Sequence, residues 1–223
     1  MTLDGSSHCL KKCREWLDER EHTRAARLVR ERDREYYILS HGGLRAVLSR
    51  YLAVGPDAVG FDRSASGKPM LATTLRESSA ITFNLSHAHG RALIAVSNGQ
   101  EVGVDLESVR SDIQVEQLSR RFFTPLEHRV VLQSAAEQRT AVFFRYWVAK
   151  EAVLKAQGIG LQGLSGCEIT LEVDHGGKAK QVRVDSNLRD SMNVQLLACD
   201  NGWEAAVAAR NLDRMHQWGS SLE

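Results

Sequence analysis

Four side chains carry the most chemistry in this sequence: Asp105, Glu107, Glu151 and Lys155. Glu151 and Lys155 stand four residues apart in Trp147-Val148-Ala149-Lys150-Glu151-Ala152-Val153-Leu154-Lys155-Ala156-Gln157-Gly158. On a helix that spacing projects a carboxylate and an ammonium side by side from one face. Taken alone, it reads most simply as an exposed ion pair of small value. Phe143, Phe144, Tyr146, Trp147 and Val148 run up to the pair, however, which predicts a mostly buried helix, and buried charge needs a partner or a task. Asp105 and Glu107 alternate with Val104 and Leu106, so on a strand the two carboxylates share one face and the two aliphatic side chains the other. Carboxylates that close repel, and a divalent cation relieves the repulsion. A polar outer face on an edge strand explains the same spacing equally well. Magnesium favours oxygen ligands, keeps several waters and bridges to substrate phosphate, so two carboxylates plus one more would suffice as the protein's share.

The elements that must place these groups can be read in order. From Leu10 to Leu52 apolar residues fall three or four apart, which predicts two helices or one that bends. Arginines at 20, 24, 27, 30, 32 and 34 interleave with acidic residues there in the pattern of a solvated, ion-paired face. Gly42-Gly43 weakens the later helix, or else admits close packing or a ligand. Arg63-Ser64-Ala65-Ser66-Gly67-Lys68-Pro69 is turn-rich, and its Gly-Lys pair offers an amide and a cation to phosphate. Residues 81–86 alternate as a strand, His87-Ala88-His89-Gly90 reads as a turn, and 92–97 return as a second strand; 100–107 form a third. Thr124-Pro125-Leu126-Glu127 is a helix start with a capping box, and Ser134-Ala135-Ala136-Glu137 repeats the signal before the long helix that Gly158 stops. Strands follow near 167–173, 181–184, 192–199 and 203–209, with turns at Asp174-His175-Gly176-Gly177 and Asn201-Gly202.

Composition narrows the classes. With 223 residues, 43% hydrophobic, 26% charged and three prolines, the chain is an ordinary folded one with length enough for a large core. A formal net charge of +1 predicts no nucleic acid partner. Cys9, Cys13, Cys167 and Cys199 are too few and scattered for a disulfide framework; Cys9 and Cys13 could share a metal, but no matching pair occurs elsewhere. No stretch approaches a membrane span and no secretory signal opens the chain, so a soluble protein of the cytoplasm is expected, without a membrane partner.

With Gly103-Val104-Asp105-Leu106-Glu107 and Trp147 to Gly158 in view, the chain resembles the 4'-phosphopantetheinyl transferases, most closely the larger, surfactin-synthetase-activating (Sfp-like) type. Asn84-Leu85-Ser86-His87 and Gly67-Lys68-Pro69 add to the resemblance, so that four ordered motifs span about Arg63 to Leu161. It implies an α+β fold of two similar subdomains, 1–108 and 109–223, each a small antiparallel sheet on a long helix. The two would be pseudo-two-fold related, with the active site at their junction and a monomer sufficient to form it. It implies transfer of the phosphopantetheine arm of coenzyme A to a serine of an acyl, aryl or peptidyl carrier protein, with release of adenosine 3',5'-bisphosphate. Fatty-acid, polyketide and nonribosomal-peptide carriers all present such a serine.

By the same resemblance Asp105, Glu107 and Glu151 would hold magnesium against the pyrophosphate. Ser86, His87, Lys68 and Lys155 would contact phosphates, with Arg63 and Arg32 near the 3'-phosphate. Lys155 is placed for charge on the leaving group, and Glu151, directly or through a water on the metal, is the candidate base. Arg120, Arg121, Phe122, Phe123 and Arg129 offer a basic and aromatic patch for an acidic carrier protein. Family members open with a strand, and Met1 to Leu10 is too short and polar to supply one, so the first sheet is expected to lack an edge or the true start to lie earlier. Two other readings share the magnesium or the nucleotide: a coenzyme A or nucleotide-binding homologue without catalysis, and a magnesium-dependent nucleotide pyrophosphate hydrolase.

Overall fold

Side-chain caps decide where the first helices begin. Ser6 accepts from the Cys9 amide at the start of α1 (Ser7–Trp16), and Asp18 forms a capping box with Glu21 at the start of α2 (Glu19–Ala26). The extended residue Leu17 separates them, and α3 (Glu31–Leu52) completes three helices where two, or one that bends, were expected. At Gly42 an added Cβ would lie 2.4 Å from Cys13 Cβ, so this glycine serves helix packing rather than a ligand. These residues and the rest described here, 1–173, 179–186 and 191–217, come from a computed structural model.

The first half continues with the antiparallel pair β1 (Phe61–Arg63) and β2 (Pro69–Leu71), the short helix α4 (Thr73–Arg76), and a hairpin of β3 (Ile81–Ala88) and β4 (Arg91–Asn98). His89 and Gly90 both have positive φ, as a two-residue type I′ turn requires, so His87 lies in the strand and not in the turn. Met1–Leu3 do supply a short edge: Met1 and Ala92 exchange backbone hydrogen bonds, and the Leu3 amide donates to Gly90 O at 2.7 Å. Leu3 is buried there, which corrects the expectation of a missing edge.

In the second half β5 (Val102–Ser108), α5 (Val115–Phe122), α6 (Pro125–Gln133) and α7 (Arg139–Gln157) precede β6 (Cys167–Val173), β7 (Ala179–Ser186), β8 (Asn193–Leu196) and β9 (Trp203–Ala209). The Thr124 capping box forms as read, whereas Ser134 ends α6, and α7 begins at Arg139 with no side-chain cap. The turn expected at 174–177 lies outside the described residues. The sheet runs β5-β9-β8-β7-β6, antiparallel throughout. β5 pairs along its whole length with β9, from Val102 opposite Ala209 to Ser108 opposite Trp203. By this pairing β5 belongs to the sheet of the second half. The α+β class stands, with a long helix on antiparallel strands in each half.

The four cysteines are free thiols. Helix α7 is apolar on nearly every side: Phe143, Phe144, Val148, Ala149, Ala152, Val153 and Leu154 are buried in the main core against Val131, Leu164, Ile169, Ala206 and Ala208. Such a helix must be enclosed by other elements.

Candidate active site

Enclosure of α7 brings the four chemical side chains together. An added Cβ on Gly103 would fall 2.0 Å from Ala152 O and 2.4 Å from Ala156 N, so only glycine lets α7 lie directly on β5. The period of two then turns Asp105 and Glu107 toward the same helix. Along the outer edge of β5 runs β3, anchored by Asn84 Oδ1, which accepts the Val104 N–H at 2.9 Å. Two residues on, the Ser86 hydroxyl donates to Asp105 Oδ1 at 2.8 Å. Lys155 Nζ reaches that same oxygen at 2.6 Å and Ser86 Oγ at 3.1 Å. Lys155 is thus ion-paired with Asp105 and not with Glu151, and the simple i,i+4 surface pair is not what forms.

Burial governs the electrostatics. Glu151 is 9% exposed. Its pKa is pushed up to about 7, first by burial and then by the Asp105 and Glu107 charges, against a lowering by Lys155. Glu107 is also raised, by burial and by Asp105, while Arg110 at 3.3 Å pulls it back. Oδ2 of Asp105 and Oε1 of Glu151 are buried with no hydrogen-bond partner, an arrangement that costs free energy unless something positive arrives. Among the described residues, no three His, Cys, Asp or Glu side chains form a ready-made cation cage. Magnesium does not require one, since it is usually held by one or two carboxylates with waters and phosphates. The donor set and the two orphaned oxygens fit such an ion.

Beside this cluster opens a cleft of about 300 Å3 lined by Arg20, Arg24, Tyr37, His41, Arg63 and His87, among others. Beneath it the buried Arg45 pairs with Glu21 at 2.7 Å and Asp18 at 3.2 Å and donates to Val59 O, which fixes α2 against α3. His87 is exposed, but in a concave mouth where crowding by surrounding atoms holds its pKa below the usual value, helped by the charges of His41, Lys155 and Arg24. Arg63 lines the cleft and also donates to Gly67 O at 3.0 Å.

Arg32 is not among the lining residues; its guanidinium bonds the Tyr36 hydroxyl at 2.5 Å and lies over that ring. Lys68 is not a lining residue either, its ammonium being held by Glu101, Val102 O and Ala156 O. Sequence reasoning missed Arg20, Arg24 and His41. A cleft wall and a solvated face show the same alternation of charges, and the i,i+4 spacing of the two arginines was the only hint.

The proposed docking patch is partly dismantled. Phe123 is 5% exposed and packs on Phe143 and Tyr146, so it cannot touch a partner; as the C-cap of α5 it points inward. Phe122 is half-buried edge-on against Trp147. Arg120, Arg121 and Arg129 are exposed, with Arg120 paired to Glu116 at 2.8 Å and Arg121 over the Phe122 ring. Behind the site Lys150, fully buried, binds Glu127 and Cys167 O, both at 2.5 Å, while Glu127 also accepts the Ile169 N–H at 2.7 Å. This buried pair joins α7, α6 and β6, and its motif position one residue before Glu151 gave no sign of it.

Comparison with known proteins gives matches in both halves of the chain. A family described as the 4'-phosphopantetheinyl transferase superfamily matches residues 101–208, and one described as 4'-phosphopantetheinyl transferase, N-terminal, matches 4–99. The 4'-phosphopantetheinyl transferase HetI of Nostoc sp. is 39% identical over 169 residues, covering 76% of this chain and 71% of its own. The enzyme Sfp of Bacillus subtilis is 27% identical over 202 residues, 89% and 84% of the two chains, and AcpT of Salmonella typhimurium is 32% identical over 156 residues, 70% and 69%. Among solved structures, a holo-(acyl-carrier-protein) synthase from Bacillus anthracis in complex with CoA aligns over 49% of this chain and 93% of its own, at 17% identity and a TM-score of 0.39.

Proposed function

Because the chain belongs to the 4'-phosphopantetheinyl transferase superfamily, and to its larger, Sfp-like type, we propose the reaction in these terms: the 4'-phosphopantetheine arm of coenzyme A passes to a serine of an apo acyl or peptidyl carrier protein, and adenosine 3',5'-bisphosphate leaves. The observation that carries this reading is the junction of Ser86, Asp105 and Lys155 beside an unpartnered, buried Glu151. It supports a reading in which the hydroxyl and the ammonium meet a pyrophosphate and the two carboxylates hold the cation that accompanies it.

Each residue then has a task. Arg20, Arg24 and Arg63 offer positive charge to the 3'-phosphate end of coenzyme A in the cleft. Ser86 and a neutral His87 donate hydrogen bonds to the pyrophosphate. When the ligand enters, Lys155 moves its charge from Asp105 to the phosphate oxygens, where negative charge grows as the bond to the leaving bisphosphate breaks. Asp105, Glu107 and Glu151 would hold magnesium, which supplies charge neutralisation of the pyrophosphate. The carrier serine attacks the β-phosphorus and gives its proton to Glu151, directly or through a bound water. The exposed Arg120, Arg121 and Arg129 face an acidic carrier. All these groups come from one chain, so a monomer suffices. Among the described residues no helix is long and apolar enough to cross a membrane.

Incubation with coenzyme A, magnesium and apo-carrier proteins, followed by intact mass, tests the proposal. A gain of one phosphopantetheine on the carrier is expected. Consumption of coenzyme A with no gain on any carrier would point to hydrolysis, and tight binding without consumption would point to a binding module.

A further inference from the structure

Lys68 stands in a turn whose sequence suggests a phosphate cation, yet its surroundings give it another task. Its side chain is 13% exposed, and Nζ donates to Glu101 Oε2 at 2.5 Å, Ala156 O at 3.1 Å and Val102 O at 3.3 Å. An ammonium has three protons to donate, and here each has an acceptor. We propose that Lys68 is a positioning residue, a latch that ties the turn between β1 and β2 to the C-terminal end of α7 and so fixes where Lys155 stands.

Three features support the latch. The Gly158 and Ile159 amides cap the Leu154 and Lys155 carbonyls, the Ala156 carbonyl takes Lys68, and a cation is most favourable at that end of the helix. Ala156, whose carbonyl Lys68 takes, directly follows Lys155 and lies in the turn that Gly103 brings against β5. The turn itself is braced: Ser64 N bonds Lys68 O at 2.9 Å, Lys68 N bonds Ser64 Oγ at 3.0 Å, and Arg63 bonds Gly67 O at 3.0 Å. It also fits closely over the helix cap, since a Cβ on Gly158 would lie 3.0 Å from Ser66 Oγ. The exposed Glu101 adds little to such a pair. The two carbonyls, from β5 and α7, are the substance of the latch. Loosening it would let the last turn of α7 drift, and Lys155 with it.

Lys68→Met decides between a latch and a phosphate contact. A latch predicts that kcat falls about 10- to 100-fold and that the Kd for coenzyme A, by calorimetry, rises by a smaller factor. It also predicts faster hydrogen exchange at the amides of residues 153–157. If the methionine variant does not fold, Lys68→Gln is read by the same three measurements. The inference is overturned if Kd weakens about tenfold or more while kcat at saturating coenzyme A is kept, the pattern of a phosphate contact. It is equally overturned if exchange in the last turn does not change. The inference rests on the transferase reading, but the two fail separately: wild-type protein that loads no carrier sinks that reading, while affinity and exchange still decide this one.

Discussion

Ionising Glu151 is costly in the metal-free protein because burial and two neighbouring carboxylates oppose it, and its pKa of about 7 records the cost. The sign for stability follows. A folded-state pKa above the unfolded value means that the favourable contribution is fully present below the unfolded pKa, near the ordinary 4.5, and is lost as pH rises through about 7. Glu151→Gln keeps the shape and removes the charge. In metal-free protein it should therefore raise the melting temperature at pH 8 relative to wild type, with the gap closing as pH falls toward 5, while transfer to a carrier is abolished. Unchanged melting together with normal turnover would return Glu151 to an ordinary polar residue. At the cleft, Arg20→Glu with Arg24→Glu should raise KM for coenzyme A about tenfold or more and leave KM for the carrier unchanged, by loss of two cations and gain of two anions facing phosphate.

The pairing of β5 with α7 is what turns four residues into a site. Gly103→Ala must force the two elements apart, because the new methyl would overlap backbone atoms that have no rotamer to escape by. A loss of at least ~2 kcal/mol in urea denaturation is expected, with activity falling further than stability as Asp105 and Lys155 separate. Phe123 belongs to the same scale. Stacked on Phe143 at 5.0 Å, it holds α5 to α7, and Phe123→Ala should cost about 3–5 kcal/mol of stability. Carrier KM should respond instead to charge reversal at Arg120 and Arg121, and equal effects on coenzyme A and carrier would remove α5 as a docking face.

In the whole molecule the site is a seam between a first half that supplies Ser86 and the cleft and a second that supplies the carboxylates and Lys155. Since β5 is a full member of the second sheet, coexpressed fragments 1–100 and 101–223 should assemble and transfer, whereas a split after Ser108 should leave β9 with an open edge and yield insoluble protein. Active enzyme from the second split would remove β5 as the organising strand. The local rules were enough for the helix start capped by Thr124, the stop at Gly158, the shared face of Asp105 and Glu107 and the motifs that name the family, because each depends on neighbours within a few residues. They were not enough for the partner of Lys155, the inward turn of Phe123, the three acceptors of Lys68, the arginines of α2 or the β5–β9 pairing. Those contacts join residues far apart in the chain, and neither charge alternation nor a period of two or 3.6 says what lies across from a residue once the elements pack.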